Sequence, residues 1–397
     1  MVSVERVKIQ GYRSIKSLDL ELRSLNVLIG PNASGKSNLL DFFELLSAAA
    51  AGRLEQAVLR RGGMASVAFK DTQPHALKWI LEFPEGFDGH PYRLTYVGVV
   101  QEKGAASAVV FERLYRPDAD EPDGYYYLLT RSPTELRFRA TGVRREGEEE
   151  PKPAEVLAPS ELALAGFRDP ERWPSMDRVA RLLTGCVCYR DREWDTREGG
   201  ALRGAAQLMP GPLLEVSGLN LAAALYDIAQ RREYRSHWEG IQDTLKAAYP
   251  DFEELSFPAD AAARIGLEWH EKSGLPFRGW ELSDGTLRFL ALACVLLGPA
   301  CPQILCIDEP AAGLHPQLMR IVAEMLQHAA EKSQVLVATH SVGLVNALEP
   351  EDILVVEKPP EIGETTIQRL SREELGGWLR DFSLGDLWEM GKVGGHP

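Results

Sequence analysis

The stretch Gly30-Pro31-Asn32-Ala33-Ser34-Gly35-Lys36-Ser37 fits the pattern G-x-x-x-x-G-K-S/T at every fixed position. Leu25-Asn26-Val27-Leu28-Ile29 before it reads as a short buried strand. Asn38-Leu39-Leu40-Asp41-Phe42-Phe43-Glu44-Leu45-Leu46 after it carries apolar residues at helical spacing. Glycines at 30 and 35 let the backbone wrap closely around phosphate groups. The amides of Asn32, Ala33, Ser34, Gly35, Lys36, Ser37 and Asn38 then face an anion at a helix N-terminus. Lys36 would reach the β- and γ-phosphates, and the Ser37 hydroxyl would bind Mg2+. The plainer reading is a glycine-rich strand-to-helix turn with a chance lysine. The matching flanks decide against it and imply a bound nucleoside triphosphate.

At 397 residues the chain can bury a substantial core, with length for two to three lobes. Its apolar content (45%) and charged content (26%) are those of a soluble globular protein. No apolar run reaches membrane-spanning length, and the N-terminus opens in a strand-like alternation without a signal peptide's apolar region. A cytoplasmic protein with no membrane partner is expected. Five cysteines in so long a chain make no disulfide framework. Cys186 and Cys188 share one apolar run and Cys306 lies in another, so they read as small buried hydrophobes in preference to metal ligands. A net charge of −14 means that any nucleic acid must be held by a local basic face. The candidate faces are Arg53/Arg60/Arg61, Arg137/Arg139 with Arg144-Arg145, and Arg231-Arg232 with Arg235, each also readable as a solvated surface.

Residues 1–30 read as three strands, and 38–61 as one or two helices stopped by Gly62-Gly63. From 65 to 140 short strands are expected at 67–69, 77–83, 92–97, 108–111 and 125–128. Residues 141–158 are acidic and proline-bearing and read as a mobile loop. The 160–250 region reads as mostly helical, with breaks near Cys186–Tyr189 and through the glycines of 199–218. Two strands at 255–257 and 265–269 follow.

A second constellation lies far downstream. Ile304-Leu305-Cys306-Ile307 is an apolar strand ending in Asp308-Glu309-Pro310. Ligands sit at the carboxyl ends of strands in a doubly wound sheet. Asp308 can there hold the Mg2+ shell, and Glu309 can polarise the attacking water. Upstream, Leu282-Ser283-Asp284-Gly285-Thr286 opens a helix, with Ser283 an N-cap and Gly285 permitting close backbone approach. Downstream, the buried run Val335-Leu336-Val337-Ala338-Thr339 ends at His340, which alone would read as a core histidine.

The ordered series GPNASGKS, LSDGT, ILCIDEP, AAGLHP and ATHS resembles ABC-type ATPases, specifically the SMC/RecF/OLD-related branch of bacterial AAA-family ATPases. The resemblance is strong over 1–61 and 280–346, and looser over 160–230 and 365–395. It implies an α/β P-loop NTPase with an ABC-type head: a mixed sheet, a β-rich lobe I, a helical lobe II and a large α+β insertion. The implied domains are an N-terminal ATPase lobe (1–140), a mostly helical inserted region (141–275), a signature, Walker B and switch-histidine lobe (276–360) and a C-terminal docking tail (361–397). In such proteins two heads pair head to tail around two ATP molecules. By that likeness Ser283 and Gly285 of one subunit touch the γ-phosphate held by Lys36 of the other. Glu309 is then the general base, and His340 senses the γ-phosphate. Gly313-Leu314-His315 carries signals across the dimer, and Arg13 in Gly11-Tyr12-Arg13-Ser14 lies near the nucleotide.

Two departures stand out. LSDGT replaces LSGGQ, setting the Asp284 carboxylate where a glycine usually meets phosphate. A Q-loop glutamine, sought near Leu164-Ala165-Gly166, is not found there. The long stretch from Ser37 to Leu282 argues against a transporter subunit, whose motifs lie much closer together. The same stretch lacks the coiled coil of SMC-type heads, and residues 341–397 are too few for the nuclease domain of OLD proteins. The amphipathic segment 370–388 reads as a tail docked on its own head, and otherwise as a partner site. The expected function is Mg2+-dependent ATP hydrolysis by an ATP-dependent homodimer acting on DNA in repair, recombination or defence. The alternative is a nucleotide-gated switch that grips a protein partner through the 65–270 insert.

Overall fold

The computed structural model describes residues 4–394 apart from 72, 90–91, 105, 134, 140–156, 209–210, 261–263 and 362. The acidic loop expected at 141–158 and the pair Arg144-Arg145 therefore lie almost wholly outside the described residues. Strands β1 (Arg6–Tyr12), β2 (Ile15–Glu21), β4 (Ala76–Phe83), β5 (Leu94–Lys103), β6 (Ala106–Pro117), β7 (Tyr125–Arg131) and β8 (Leu136–Phe138) form one antiparallel sheet in the order β2-β1-β4-β5-β6-β7-β8. Burial alternates strictly along β4, the signature of a sheet with one face on the core.

A second sheet is mostly parallel. Its order is β18-β17-β3-β16-β15-β9, from β3 (Leu25–Ile29), β9 (Cys186–Arg190), β15 (Ile304–Asp308), β16 (Gln334–Ala338), β17 (Ile353–Glu357) and β18 (Thr366–Arg369). Only the edge strand β18 runs antiparallel among these pairings. β3 and β16 are buried at every position, as strands covered on both faces must be. Successive side chains point to opposite faces, and two cores divide them. Ile304 and Cys306 enter one core, with α1 (Lys36–Ala50) and the antiparallel sheet. Leu305 and Ile307 enter the other, with the helices Asp284–Leu297 and Met319–Ala330. Register sets Asp308 beside both Ala338 and Arg190, so the strands end along one edge.

The 141–275 region divides between several bodies. Helix Ala163–Gly166 packs on the antiparallel sheet, where buried Glu112 accepts hydrogen bonds from the amides of Ala163 (2.7 Å) and Leu164 (3.0 Å). β9 joins the central sheet, and helices Leu221–Gln230 and Arg235–Ala248 pack together as a pair. Short strands complete the lobe as β10 (Ala206–Gln207) with β12 (Arg264–Ile265), and β11 (Phe252–Ser256) with β13 (Glu268–Glu271) and β14 (Pro276–Arg278). The strand expected at 67–69 is instead the end of a helical turn, Met64–Val67, with one bridge from Ala68 to Tyr12. The Val67 carbonyl accepts from the Arg13 amide and the Phe69 amide donates to the Gly11 carbonyl, so the pairing with the end of β1 is a single bridge. In the C-terminal segment Leu387 and Trp388 are fully buried, whereas Trp378 and Phe382 are exposed. No helix among the described residues is long and apolar enough to cross a membrane.

Asp41 ties these pieces together. Its carboxylate accepts from the Tyr12 hydroxyl at the end of β1 and pairs with Arg13 (2.8 Å) and with Arg61 (2.9 Å), just past α2 (Leu54–Arg60). Burial opposes ionisation, but the hydrogen bonds from Arg61 and Tyr12 hold the pKa below the ordinary aspartate value. A depressed carboxylate pKa adds stability above the unfolded-state value, and that contribution is lost as pH falls through the native one. Asp41→Asn should therefore cost about 2 kcal/mol near neutral pH, with the deficit shrinking below about pH 4. Denaturant unfolding at the two pH values measures this, and an unchanged midpoint at neutral pH contradicts it.

Candidate active site

The loop after β3 is braced from behind. At Gly35 (φ 111°) an added Cβ would collide with the Thr365 hydroxyl and lie 2.9 Å from Ser14 Oγ. Thr365 donates to the Ser34 carbonyl (2.7 Å) and shares a hydrogen bond with Ser14 (2.7 Å), which in turn accepts from Asn38 (2.6 Å). Lys36 folds back into the loop and donates to the carbonyls of Gly30 (2.7 Å) and Pro31 (3.0 Å). Burial lowers its pKa to about 8, against the opposing pull of Glu309 and Asp308. Ser34 Oγ is buried without a hydrogen-bond partner. An orphaned donor and a desolvated cation in one concave loop are what an incoming phosphate group satisfies.

Asp308 lies across the sheet edge, with its Oδ2 3.1 Å from Ser37 Oγ. Two hard oxygen donors side by side suit Mg2+, which takes few protein ligands and keeps waters. Glu309 leaves β15 in a left-handed conformation (φ 59°), and its amide donates to the Ala338 carbonyl (2.8 Å). Its carboxylate accepts from the His340 amide (3.2 Å) and stands 3.7 Å from His340 Nε2. Burial raises the Glu309 pKa, with Asp308 adding to the shift and Lys36 opposing it. Burial and Lys36 lower that of His340. Among the described residues, the non-glycine positions with positive φ are Arg13 (47°), Ala33 (62°) and Glu309 (59°). All three were singled out from sequence. Strained backbone persists where surrounding structure enforces it, typically at functional sites.

The structure thus brings Lys36, Ser37, Asp308, Glu309 and His340 to one strand edge. Ser283 and Gly285 stand apart from the phosphate loop. Ser283 Oγ caps its own helix through the Thr286 amide (3.1 Å) and shares a hydrogen bond with the Thr286 hydroxyl. An added Cβ at Gly285 would lie 2.8 Å from the Gly313 carbonyl, so the signature turn and the Ala311–His315 loop fit only with glycine there. Arg13 is engaged by Asp41 and lines a cavity along the flank of α1.

The structure also accounts for Asp284. Arg203, largely buried, reaches the carbonyls of Thr196, Trp280 (2.9 Å) and Leu282 (2.6 Å) and pairs with the Asp284 carboxylate. The unusual charge in the signature is neutralised by a clamp that holds the turn. Nothing in the sequence connects positions 203 and 284. The search for a Q-loop residue at 164–166 is corrected too, because that helix sits on Glu112 of the antiparallel sheet. The segment that leaves the central sheet beside Asp308 is Arg190-Asp191, after β9. Asp191 pairs with Arg288 of the signature helix, and both line a crevice with Asp308 and Glu309. Thr365 was missed because its partners lie over three hundred residues away in sequence.

Comparison with known proteins agrees with this geometry. Residues 3–75 match the family described as an AAA ATPase domain. Residues 196–346 match an AAA domain family whose description names the AbiEii toxin and a type IV TA system. The chain carries AAA-family ATPase domains. The ATPase is 32% identical over 136 residues to the energy-coupling factor transporter ATP-binding protein EcfA2 of Lactobacillus acidophilus, a match covering 32% of this chain and 45% of that protein. It thus spans about half the length of the curated relatives it matches. Its fold is that of an SMC head. A crystal structure of an SMC head bound to the C-winged helix domain of ScpA aligns with a TM-score of 0.54 at 14% identity, over 94% of this chain and 99% of that one. An SMC head with an extended coiled coil, bound to a C-terminal domain of ScpA derived from Pyrococcus furiosus, gives 0.51 at 14%, over 96% and 99%.

Two outcomes follow from these contacts. Thr365→Val removes the brace on Ser34 and should weaken ATP binding about tenfold, one hydrogen bond's worth; calorimetric titration giving wild-type affinity contradicts it. Arg203→Gln leaves Asp284 uncompensated and should cut turnover by about tenfold, a loss that Asp284→Gly in the same chain partly restores. Steady-state ATPase assays that show no restoration disconnect the clamp from the carboxylate.

Proposed function

We propose that the ATPase works as one half of an ATP sandwich: Lys36, Ser37, Asp308, Glu309 and His340 of one chain meet Ser283 and Gly285 of a second. The observation that carries this reading is the division within a single chain. The phosphate loop and the Asp308-Glu309 pair share a strand edge, while the signature turn, preformed by Ser283 and Arg203, makes its hydrogen bonds elsewhere. Lys36 and the loop amides bind and orient the triphosphate. Glu309, with its basicity raised by burial, takes the proton of the attacking water, and the His340 amide fixes its carboxylate. Mg2+ held by Ser37 and Asp308 would neutralise charge on the phosphate oxygens.

DNA is the proposed partner of the nucleotide-bound form. Of the basic faces expected from sequence, Arg137 pairs with Glu135, Arg139 with Glu121, Arg231 with Asp227 and Arg235 with Glu239. Beside α1 the balance differs. A cavity of about 620 Å³ is lined by Arg13, Arg53, Arg60, Arg61, Arg190 and Arg192, and among the described residues Arg53, Arg60 and Arg192 have no ion-pair partner. Although Asp41, Glu44 and Glu193 also line the cavity, its three unpaired arginines give this acidic protein a local basic face of the kind phosphate backbones require. A protein-binding switch is the second reading. It is favoured by the exposed Leu208, Leu213, Val216 and Leu219 in the region between the motifs.

Glu309→Gln should keep ATP affinity, lose most hydrolysis and accumulate as a dimer with ATP-Mg2+ in sedimentation; monomer alone with ATP refutes the sandwich. Arg53→Glu with Arg60→Glu should abolish a salt-sensitive, ATP-dependent shift of duplex DNA while leaving basal ATPase activity intact. Wild-type protein that shifts no single- or double-stranded DNA at low salt removes DNA as the partner.

A further inference from the structure

Three thiols meet under the active-site strands. β9 and β15 pair in parallel with Cys188 opposite Cys306, and Cys186 lies two residues back on the same face of β9. Their sulfur atoms all lie within 4.8 Å of one another, and all three residues are buried in the core shared with α1. The remaining cysteines, Cys294 and Cys301, stand outside this cluster. The arginine-lined cavity along α1 reaches Cys186 and Cys188, which gives the cluster an entry path.

We propose that Cys186, Cys188 and Cys306 form a three-coordinate thiolate site for a soft monovalent cation of the Cu(I) class. Three metal–sulfur bonds of about 2.3 Å in a plane place the sulfurs about 4 Å apart, so the site closes by side-chain rotation without moving the strands. All-thiolate donor sets select soft cations. A closed structural zinc site takes four ligands, and this group supplies three. Binding releases the thiol protons to solvent and involves no electron transfer. The site owes nothing to the sandwich reading, although it ties together the strands that end at Asp308 and Arg190.

The test is anaerobic titration of the reduced full chain with Cu(I) against a chromophoric chelator. One Cu(I) should be withdrawn per chain, and copper-edge X-ray absorption of the loaded wild type should show three sulfur ligands at about 2.3 Å. Cys186→Ser and Cys306→Ser should each lower affinity by more than about tenfold, while Cys294→Ser and Cys301→Ser keep the wild-type value. The absorption measurement needs no variant, so misfolding of a serine substitution leaves the proposal testable. Failure of the wild type to withdraw Cu(I), a two-sulfur spectrum, or full affinity in folded Cys306→Ser would overturn it. So would preferential retention of Zn(II).

Discussion

A desolvated cation organises this molecule. The Lys36 side chain is buried, and its ammonium donates hydrogen bonds to the carbonyls of Gly30 and Pro31. Two neutral acceptors offset part of the cost of removing a charge from water, and an anion is needed to offset the rest. Asp308 and Glu309 are near enough to raise its pKa, yet neither forms an ion pair with it. The loop is therefore held open toward a ligand of opposite charge. Its brace, Thr365 and Ser14, keeps it from collapsing onto that cation's own neighbours.

The sheet underneath makes this arrangement durable. Each central strand commits alternate side chains to two separate cores, so a slip of one residue would exchange both sets at once. Register is fixed, and with it the positions of Asp308, Arg190 and the residues after Ala338. The strain at Glu309 is borne by its amide bond to Ala338 and by the His340 amide on its carboxylate. The signature turn is preformed by other means, through the Ser283 cap and the Arg203 clamp. The phosphate loop and the signature turn each hold their own shape within one chain, and the two-chain reading rests on that separation.

Much of this was legible in the sequence because the informative residues are local. Gly30 to Ser37, Ser283 to Thr286, and Ile304 to Glu309 each carry their strand, turn or cap within a few positions, and the structure places each where its pattern predicts. The nucleotide loop, the acidic strand end and His340 emerge as neighbours for that reason. What stayed hidden depends on pairs far apart in the chain. Arg203 with Asp284, Thr365 with Ser34, and Asp191 with Arg288 leave no periodic trace. Cys186, Cys188 and Cys306 read correctly as buried, but their convergence follows from the β9–β15 register, which no single segment encodes. The strand expected at 67–69 shrinks to one bridge at Ala68 because the amides of Val67 and Ala68 close a helical turn onto Gly63 and Met64.

The central claim is that each catalytic unit draws on two chains, and mixing two inactive variants tests it most directly. Lys36→Ala disables the phosphate loop, and a bulky arginine at position 283 (Ser283→Arg) disables the signature turn. A two-chain site predicts that each variant alone is inactive and that their mixture regains turnover, because one of the two composite sites in the mixed dimer is then intact. A mixture as inactive as its separate parts, with both variants folded and dimer formation verified, would contradict it.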